Sequence, residues 1–453
     1  VSQSTAQGLS RWALWFGGLS FFACYLGQTV LGVIQPTVVA DLGLTESEGQ
    51  WVVNAFFLAM ALFAAPGGRL GDYYGHREVL VIALCVFAVG SGVAALVPGF
   101  VGLIAGLSIA GMGAATLYPS SAAMIANRVS LAHRGRALGA YTAIGASVFI
   151  LGPPLAGLLT EAIEWRAVFA FQAVVGAGLA AVGWLRVDNR PVGEPQPFDW
   201  AGLGVLFVGL TAALVALMQA LVWGWDAAPT VLLFLAGVGV IAAFAVLELR
   251  SSSPLLQVGL LRNRALVGIV LAMFAAQFVL NGFLIYIATY FQHVLDYGPL
   301  LAAVALVPAF VLNPVVTIGV GRLTDRVGPR RPAIVGYLAA ALAFAWLGVF
   351  ADDDSYWLLL PALVLLGVAI APMFTSLLTG LSNEVEASER GEANALVLTV
   401  RWVGAAAGTM VLGVVVHAEP GATPDAAAYG AAFAVAAGMA LAGALACAAL
   451  LRR

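Results

Sequence analysis

The side chains able to do chemistry in this chain are few and scattered. The three cysteines, Cys24, Cys85 and Cys447, each lie inside an apolar run without metal-ligand spacing, so they read as small core residues. The four histidines, His76, His133, His293 and His417, stand near the ends of apolar runs. No nucleophile–base pair, metal-ligand set or glycine-rich phosphate loop is present, which argues against an enzyme and against an ATP-driven machine. One charge stands out. Arg401 sits about ten residues into an apolar run, ~15 Å along a helix at ~1.5 Å per residue. That is too deep to snorkel to an interface, so the guanidinium must face protein or a wet cavity. Backbone carbonyls and neutral side chains could hold it, or it could contact an anionic or carbonyl-bearing molecule. Neutral hydrogen-bonding residues share helical faces elsewhere: Gln28 with Gln35 at i, i+7, and Gln277 with Asn281 at i, i+4. Such a set suits binding, not bond breaking, and interhelical contact is the competing role for each.

The elements that position these residues follow from composition. Hydrophobic residues make up 62% of the chain and charged residues 9%, with a mean hydropathy of +0.99. A soluble fold of this length could not cover so much apolar surface, so the fold class is an all-α membrane protein. About 20 apolar residues cross the hydrocarbon core. Such runs predict fourteen spans, near 12–40, 50–70, 79–97, 100–127, 135–160, 166–185, 200–222, 229–248, 266–291, 298–320, 332–350, 356–380, 391–416 and 427–450. The first run is too long for a cleaved signal and reads as a retained helix. Every basic residue is arginine. With the N-terminus placed in the cytoplasm, 18 of the 20 arginines fall on the cytoplasmic side, while the opposite side collects Asp41, Glu46, Glu48, Glu161, Glu164 and other acids, with Arg166 alone. Ten of the 11 tryptophans lie near span ends, Trp402 being the exception.

The same polar hinge is written twice. Gly68-Arg69-Leu70-Gly71-Asp72-Tyr73-Tyr74-Gly75-His76-Arg77 returns as Gly321-Arg322-Leu323-Thr324-Asp325-Arg326-Val327-Gly328-Pro329-Arg330. A second echo pairs Arg134-Gly135-Arg136-Ala137 with Arg390-Gly391-Glu392-Ala393. The repeat divides the chain into an N-terminal six-helix bundle (1–186), two additional central helices with flanking linkers (187–265) and a C-terminal six-helix bundle (266–453). Duplicated bundles are the architecture of secondary transporters.

On these residues the chain resembles the major facilitator superfamily, in particular its fourteen-helix drug:proton antiporter branch. The resemblance covers essentially the whole chain. Gly68 to Arg77 looks like the family's cytoplasmic hinge motif, with Tyr73 and His76 where basic residues are common. Gly145, Gly152, Pro153 and Gly157 in the fifth span look like the antiporter motif, with Ala156 replacing a glycine. Trp51-Val52-Val53-Asn54, Leu117-Tyr118-Pro119, Trp165-Arg166 and Asp296-Tyr297-Gly298-Pro299-Leu300 stand where the branch has similar landmarks. The resemblance implies that Gly68, Asp72, Gly75, Arg77, Asp325 and Arg330 form a conformational hinge or latch, with Asp72 paired to Arg77. It implies that the fifth-span glycines make a close-packed seam between bundles, with a kink at Pro153-Pro154. Family topology places Gln28, Thr29, Gln35, Asn54, Tyr118, Gln277, Asn281 and Arg401 around the substrate cavity.

Two charges expected from the resemblance are missing. Where the branch has an acid in its first span, this chain reads Leu26-Gly27-Gln28-Thr29; where it has an arginine in the fourth, this chain has Leu107. Losing both members of a pair need not cost stability, whereas losing one would. The expected activity is therefore export of neutral, apolar or amphipathic small molecules by alternating access, with weak or no proton coupling. The alternatives are a proton-coupled antiporter using a peripheral acid, for which Asp41, Glu46 and Glu48 are candidates, and a non-transporting membrane receptor or assembly protein. The expected partners are the substrate and membrane lipids, with no cofactor, metal or nucleic acid, and a monomer in the cell inner membrane with both termini cytoplasmic.

Overall fold

The structure is a computed structural model that describes residues 11–129, 131–188, 199–224, 226–251, 256–353, 355–386, 389–418 and 424–451. Long apolar runs give helices in turn: α1 Arg11–Thr29, α2 Leu31–Leu42, α3 Glu46–Tyr74, α4 His76–Leu96, α5 Gly99–Ala126, α6 Leu131–Ala146, α7 Val148–Ala162, α8 Arg166–Arg186, α9 Trp200–Trp223 and α10 Ala228–Glu248. After a short 3₁₀ turn at Val258–Arg262 come α11 Arg264–His293, α12 Pro299–Ala305, α13 Pro308–Val311, α14 Asn313–Val327, α15 Arg330–Val349, α16 Tyr356–Glu384, α17 Arg390–Val416 and α18 Ala426–Leu450. Among the described residues, eleven helices are long and apolar enough to cross a membrane, or twelve if α1 and α2 form one bent span. The protein is an all-α, multi-pass membrane protein.

Three predicted spans are broken. The first bends by 43° between α1 and α2. The bend spoils the i, i+7 face expected for Gln28 and Gln35: Gln35 reaches away to the Gly49 carbonyl at 3.4 Å. The fifth breaks at Ser147, whose hydroxyl donates to Ile144 at 2.6 Å, and not at the prolines. Pro153 and Pro154 lie inside the continuous α7. As its sixth and seventh residues they leave the carbonyls of Phe149 and Ile150 without their i+4 N–H donors, yet the helix runs on through them. The tenth is divided at Pro308 and Pro314, each near the start of its own segment.

The helices pack in two groups. α4 lies on α5 and α8, α3 lies on α5, and α1 lies against α5, α6, α7 and α8. α11 lies against α16, α17 and α18, while α15 lies on α16 and α18. α9 and α10 pair with each other, and α9 also touches α3 and α17. The groups meet along three lines: α3 on α17, α2 on α11, and α7 on α12.

Hinge glycines at equivalent positions make the same turn. Gly75 ends α3 at φ 101° and Gly328 ends α14 at φ 80°. Both angles lie where a side chain is strained and glycine is not. The following arginine in each copy ties its helix to the far end of its own group. Arg77 donates to the carbonyls of Gly183 and Trp184 at the end of α8, and Arg330 donates to Ala448 near the end of α18. These donors satisfy terminal carbonyls with a cation at the helix C-terminus, where the dipole favours it.

Candidate functional site

Arg401 lies in the middle of α17 and is buried, with 6% exposure. Its Nε and Nη2 donate to Gln277 Oε1 of α11 at 3.2 and 3.0 Å, and Nη2 donates to the Tyr25 hydroxyl of α1 at 3.3 Å. The guanidinium carbon stands 4.9 Å from the Phe374 ring centre of α16 and 5.9 Å from that of Tyr118 of α5. Five helices drawn from both groups therefore converge on one charge, and each of these partners is neutral. Rings continue outward from it: Tyr25 meets Trp402 at 5.9 Å and Phe149 at 5.1 Å, and Phe149 of α7 stacks on Phe310 of α13 at 5.4 Å.

The neutral residues singled out in the sequence are buried, and several make other contacts than their spacing suggests. Asn54 accepts from the Thr409 hydroxyl at 2.7 Å, a hydrogen bond between α3 and α17. Asn281 turns back onto its own helix, donating to the Gln277 carbonyl at 3.1 Å. Thr29 faces α7, where a Cβ placed on Gly152 would lie 2.6 Å from its hydroxyl oxygen. Gln28 Nε2, Asn54 Nδ2, Gln277 Nε2 and Trp402 Nε1 are buried donors without a hydrogen-bond acceptor. Sequence reasoning missed Tyr25, Phe374, Trp402 and Thr409. Tyr25 lies three residues before Gln28 and Thr409 eight after Arg401, spacings that share a helical face, but aromatic and small residues in apolar runs carry no mark of their partners. Beside Arg401, an apolar cleft lies among α11, α15 and α16, and Phe374, Phe283 and Met373 line it.

The fifth-span glycines divide between two faces. Gly145 and Gly152 are seven apart and pack on α1 of their own group, against Phe21 and Thr29. Gly157 lies five further on, ~140° round the helix, and approaches the other group: a Cβ there would stand 2.6 Å from Leu300 Cα. Pro153 is buried within α7. At the same end of the molecule Glu161 Oε1 accepts from the Leu300 N–H of α12 at 2.9 Å, and Gln292 of α11 donates to the Val33 carbonyl of α2 at 3.1 Å. The positions of the expected charges are filled: a Cβ on Gly27 would meet the Phe56 ring at 2.5 Å, and Leu107 is buried with 2% exposure.

Of the hinge residues, Gly68 falls in α3 and Asp325 is exposed on α14. The side chain of Asp72 lies outside the described residues. Of the peripheral acids, Asp41 accepts from Trp165 Nε1 at 2.9 Å and from Arg166 at 3.3 Å, tying α2 to α8. Glu48 closes a capping box with Thr45, whose backbone and hydroxyl hold its carboxyl below the usual range. The side chain of Glu46 lies outside the described residues. Among the described residues no group of three or more His, Cys, Asp or Glu could hold a metal ion.

The sequence profile of the Major Facilitator Superfamily matches residues 17–409 and, in a second placement, 315–453. The chain belongs to the Major Facilitator Superfamily. Among curated relatives it is 29% identical to the multidrug resistance protein Stp of Mycobacterium tuberculosis, over 90% of this chain and 76% of that one. It is 31% identical to the puromycin resistance protein pur8 of Streptomyces alboniger, over 88% and 81%. The fold is similar to that of solved transporters: a POT family transporter in complex with 5-aminolevulinic acid gives a TM-score of 0.73 at 12% identity, covering 96% of this chain and 94% of that one. The POT family transporter PepTSo gives 0.71 at 15% identity, covering 97% of each chain. This facilitator is a secondary transporter of small molecules.

Proposed function

We propose that the facilitator exports amphipathic small molecules from the cytoplasm by alternating access. The observation that carries this reading is the convergence of both helix groups on Arg401, Tyr25 and Gln277, in the middle of α17. A central site reached from alternate ends is the working geometry of duplicated-bundle transporters. Relatives whose names record resistance to puromycin and export of tetracenomycin C and cephamycin support small, partly apolar cargo. Fourteen spans arranged as 6 + 2 + 6 complete the reading. α3, with 29 residues, and α9, with 24, then occupy the second and seventh spans, and α9 and α10 are the central pair. The arginine asymmetry puts both termini and the hinges in the cytoplasm. Cysteine labelling should find position 353 outside and position 326 inside, and the reverse would overturn the orientation. Efflux of puromycin and of a cephamycin from cells making the protein, against cells that do not make it, tests export. Equal retention of both in the two would sink it.

Coupling to protons is weak in this reading, because Gly27 stands where an acid would titrate in the core, and the remaining guanidinium, that of Arg401, stays protonated. One observation favours the rival, a peripheral-acid antiporter. Glu161 is the acid whose carboxylate reaches across to α12, and protonation would weaken that bridge. Substrate flux in proteoliposomes under an imposed pH difference, with the electrical potential clamped, separates the two. Strong acceleration that vanishes in Glu161→Gln would establish the rival.

A further inference from the structure

The export reading leaves the charge of the cargo open. Resting on that reading, we propose that the Arg401 centre is a binding site for amphipathic organic anions: the acid group binds the guanidinium, and an aromatic or branched apolar body enters the cleft bordered by Phe374.

Three observations carry this. The first is the charge itself. Arg401 is buried, and its hydrogen-bond partners are the amide oxygen of Gln277 and the hydroxyl of Tyr25, with ring faces of Phe374 and Tyr118 nearby. No carboxylate is among them. A buried charge held only by neutral groups is undercompensated, and an incoming anion gains what a protein carboxylate would otherwise supply.

The second is the polarity of the groups around it. Arg401 can only donate, and by occupying Gln277 Oε1 it leaves the amide nitrogen as that residue's remaining group. Gln277 Nε2 and the neighbouring Trp402 Nε1 are buried donors lacking an acceptor, while Asn281 Oδ1, one turn along α11, is a buried acceptor lacking a donor. Gln277 and Trp402 are each 0% exposed. A centre rich in unmet donors fits a ligand that only accepts, as a carboxylate, sulfonate or enolate does. A cation would meet like charge and no counter-ion.

The third is the space. Phe374 packs on the guanidinium on one side and lines the apolar cleft on the other. Ala276, next to Gln277 on α11, lines the same cleft, as do Leu280, Phe283 and Met373. The acid-binding group and the apolar cleft are thus contiguous.

The test uses the purified full chain in detergent and two probes of one shape, 1-naphthoate and 1-naphthamide, measured by calorimetry at neutral pH, where the acid is ionised. The wild type should bind the acid about tenfold or more tightly than the amide, the scale of a hydrogen bond to a charged group. Arg401→Gln should remove the preference, and Arg401→Lys should keep part of it. Should Arg401→Gln fail to fold, Gln277→Glu serves: it supplies a carboxylate to the guanidinium and should abolish the preference while keeping the charge buried and paired. Equal affinities in the wild type, or a preference that survives both variants, would overturn the site. Labelled 1-naphthoate uptake into inside-out vesicles separates this from the export reading. An acid preference in binding with no uptake upholds the anion site and refutes export of this cargo. Uptake that is equal for acid and amide upholds export and refutes the anion site.

Discussion

Gly157 of α7 and Gly319 of α14 stand in different groups and meet opposite surroundings. A Cβ on Gly157 would press into the backbone of α12 at Leu300, while one on Gly319 of α14 would meet nothing within 4 Å. The same contrast extends along each end. At the acidic end, Gly32 lies against the backbone of Ile285, and the hydrogen bonds of Glu161 and Gln292 cross between groups. At the arginine-rich end, Gly139 of α6 and Gly321 of α14 have open space around them, and Ile318, Gly319, Arg322 and Leu323 are exposed on one broad arc of α14. The difference teaches where the groups hold each other among the described residues: tight backbone approaches at the acidic end, none at these arginine-rich-end positions.

The largest expected effect is at the acidic end. Gly157→Leu should prevent α7 from seating on α12, lower the melting temperature of this conformation and abolish transport. Gly319→Leu should leave the melting temperature unchanged, because its surroundings are open, yet still slow transport if α14 must close in the opposite state. Equal effects of the two variants on stability would remove the contrast between the ends.

Next comes the hinge. Asp72→Asn should lower transport several-fold while membrane expression stays near normal, since a latch biases a conformational equilibrium without supporting the fold. An unchanged rate in the purified, reconstituted variant would show the hinge to be a topological anchor. A smaller effect is expected at Glu161. Its side chain is exposed, so Glu161→Gln should shift labelling of the acidic end toward the open state by less than about fivefold, in line with the modest worth of exposed charged contacts. No change would show that backbone packing at Gly157 and Gly32 closes that end unaided.

The smallest effect is a pH dependence. Burial, with His293 nearby, pushes the His417 imidazole down from 6.5 to about 4. Between those values the unfolded chain binds the proton and the folded chain does not. The stabilisation is therefore complete above pH ~6.5 and is lost as pH falls toward ~4. A thermal-stability profile over that window should slope downward toward acid, and His417→Gln should flatten it.

Much of the fold could be read from the residues. Composition alone required a membrane protein, and the helices follow the predicted apolar runs because a backbone in hydrocarbon must satisfy its own hydrogen bonds. The duplicated hinge announced two turns of one design, and Gly75 and Gly328 take positive φ at equivalent places because only glycine does so without strain. Arg401 was conspicuous because a charge at that depth demands a partner. What the sequence left undecided was the partner and the direction of each face. The resemblance suggested Asp72 for Arg77, whereas the described contacts of Arg77 are the α8 carbonyls and Glu78. Gly145 and Gly157 belong to one motif, but a turn of the helix sends one to α1 and the other to α12. Tyr25, Phe374 and Trp402 reach Arg401 or its neighbours from distant stretches of chain, and nothing in an apolar run marks which ring will do so. The local pattern dictates helices and buried charges, because those depend on each residue's own transfer from water. Only the packing of helix on helix decides which neutral groups surround the charge, and whether the two halves meet at one end or the other.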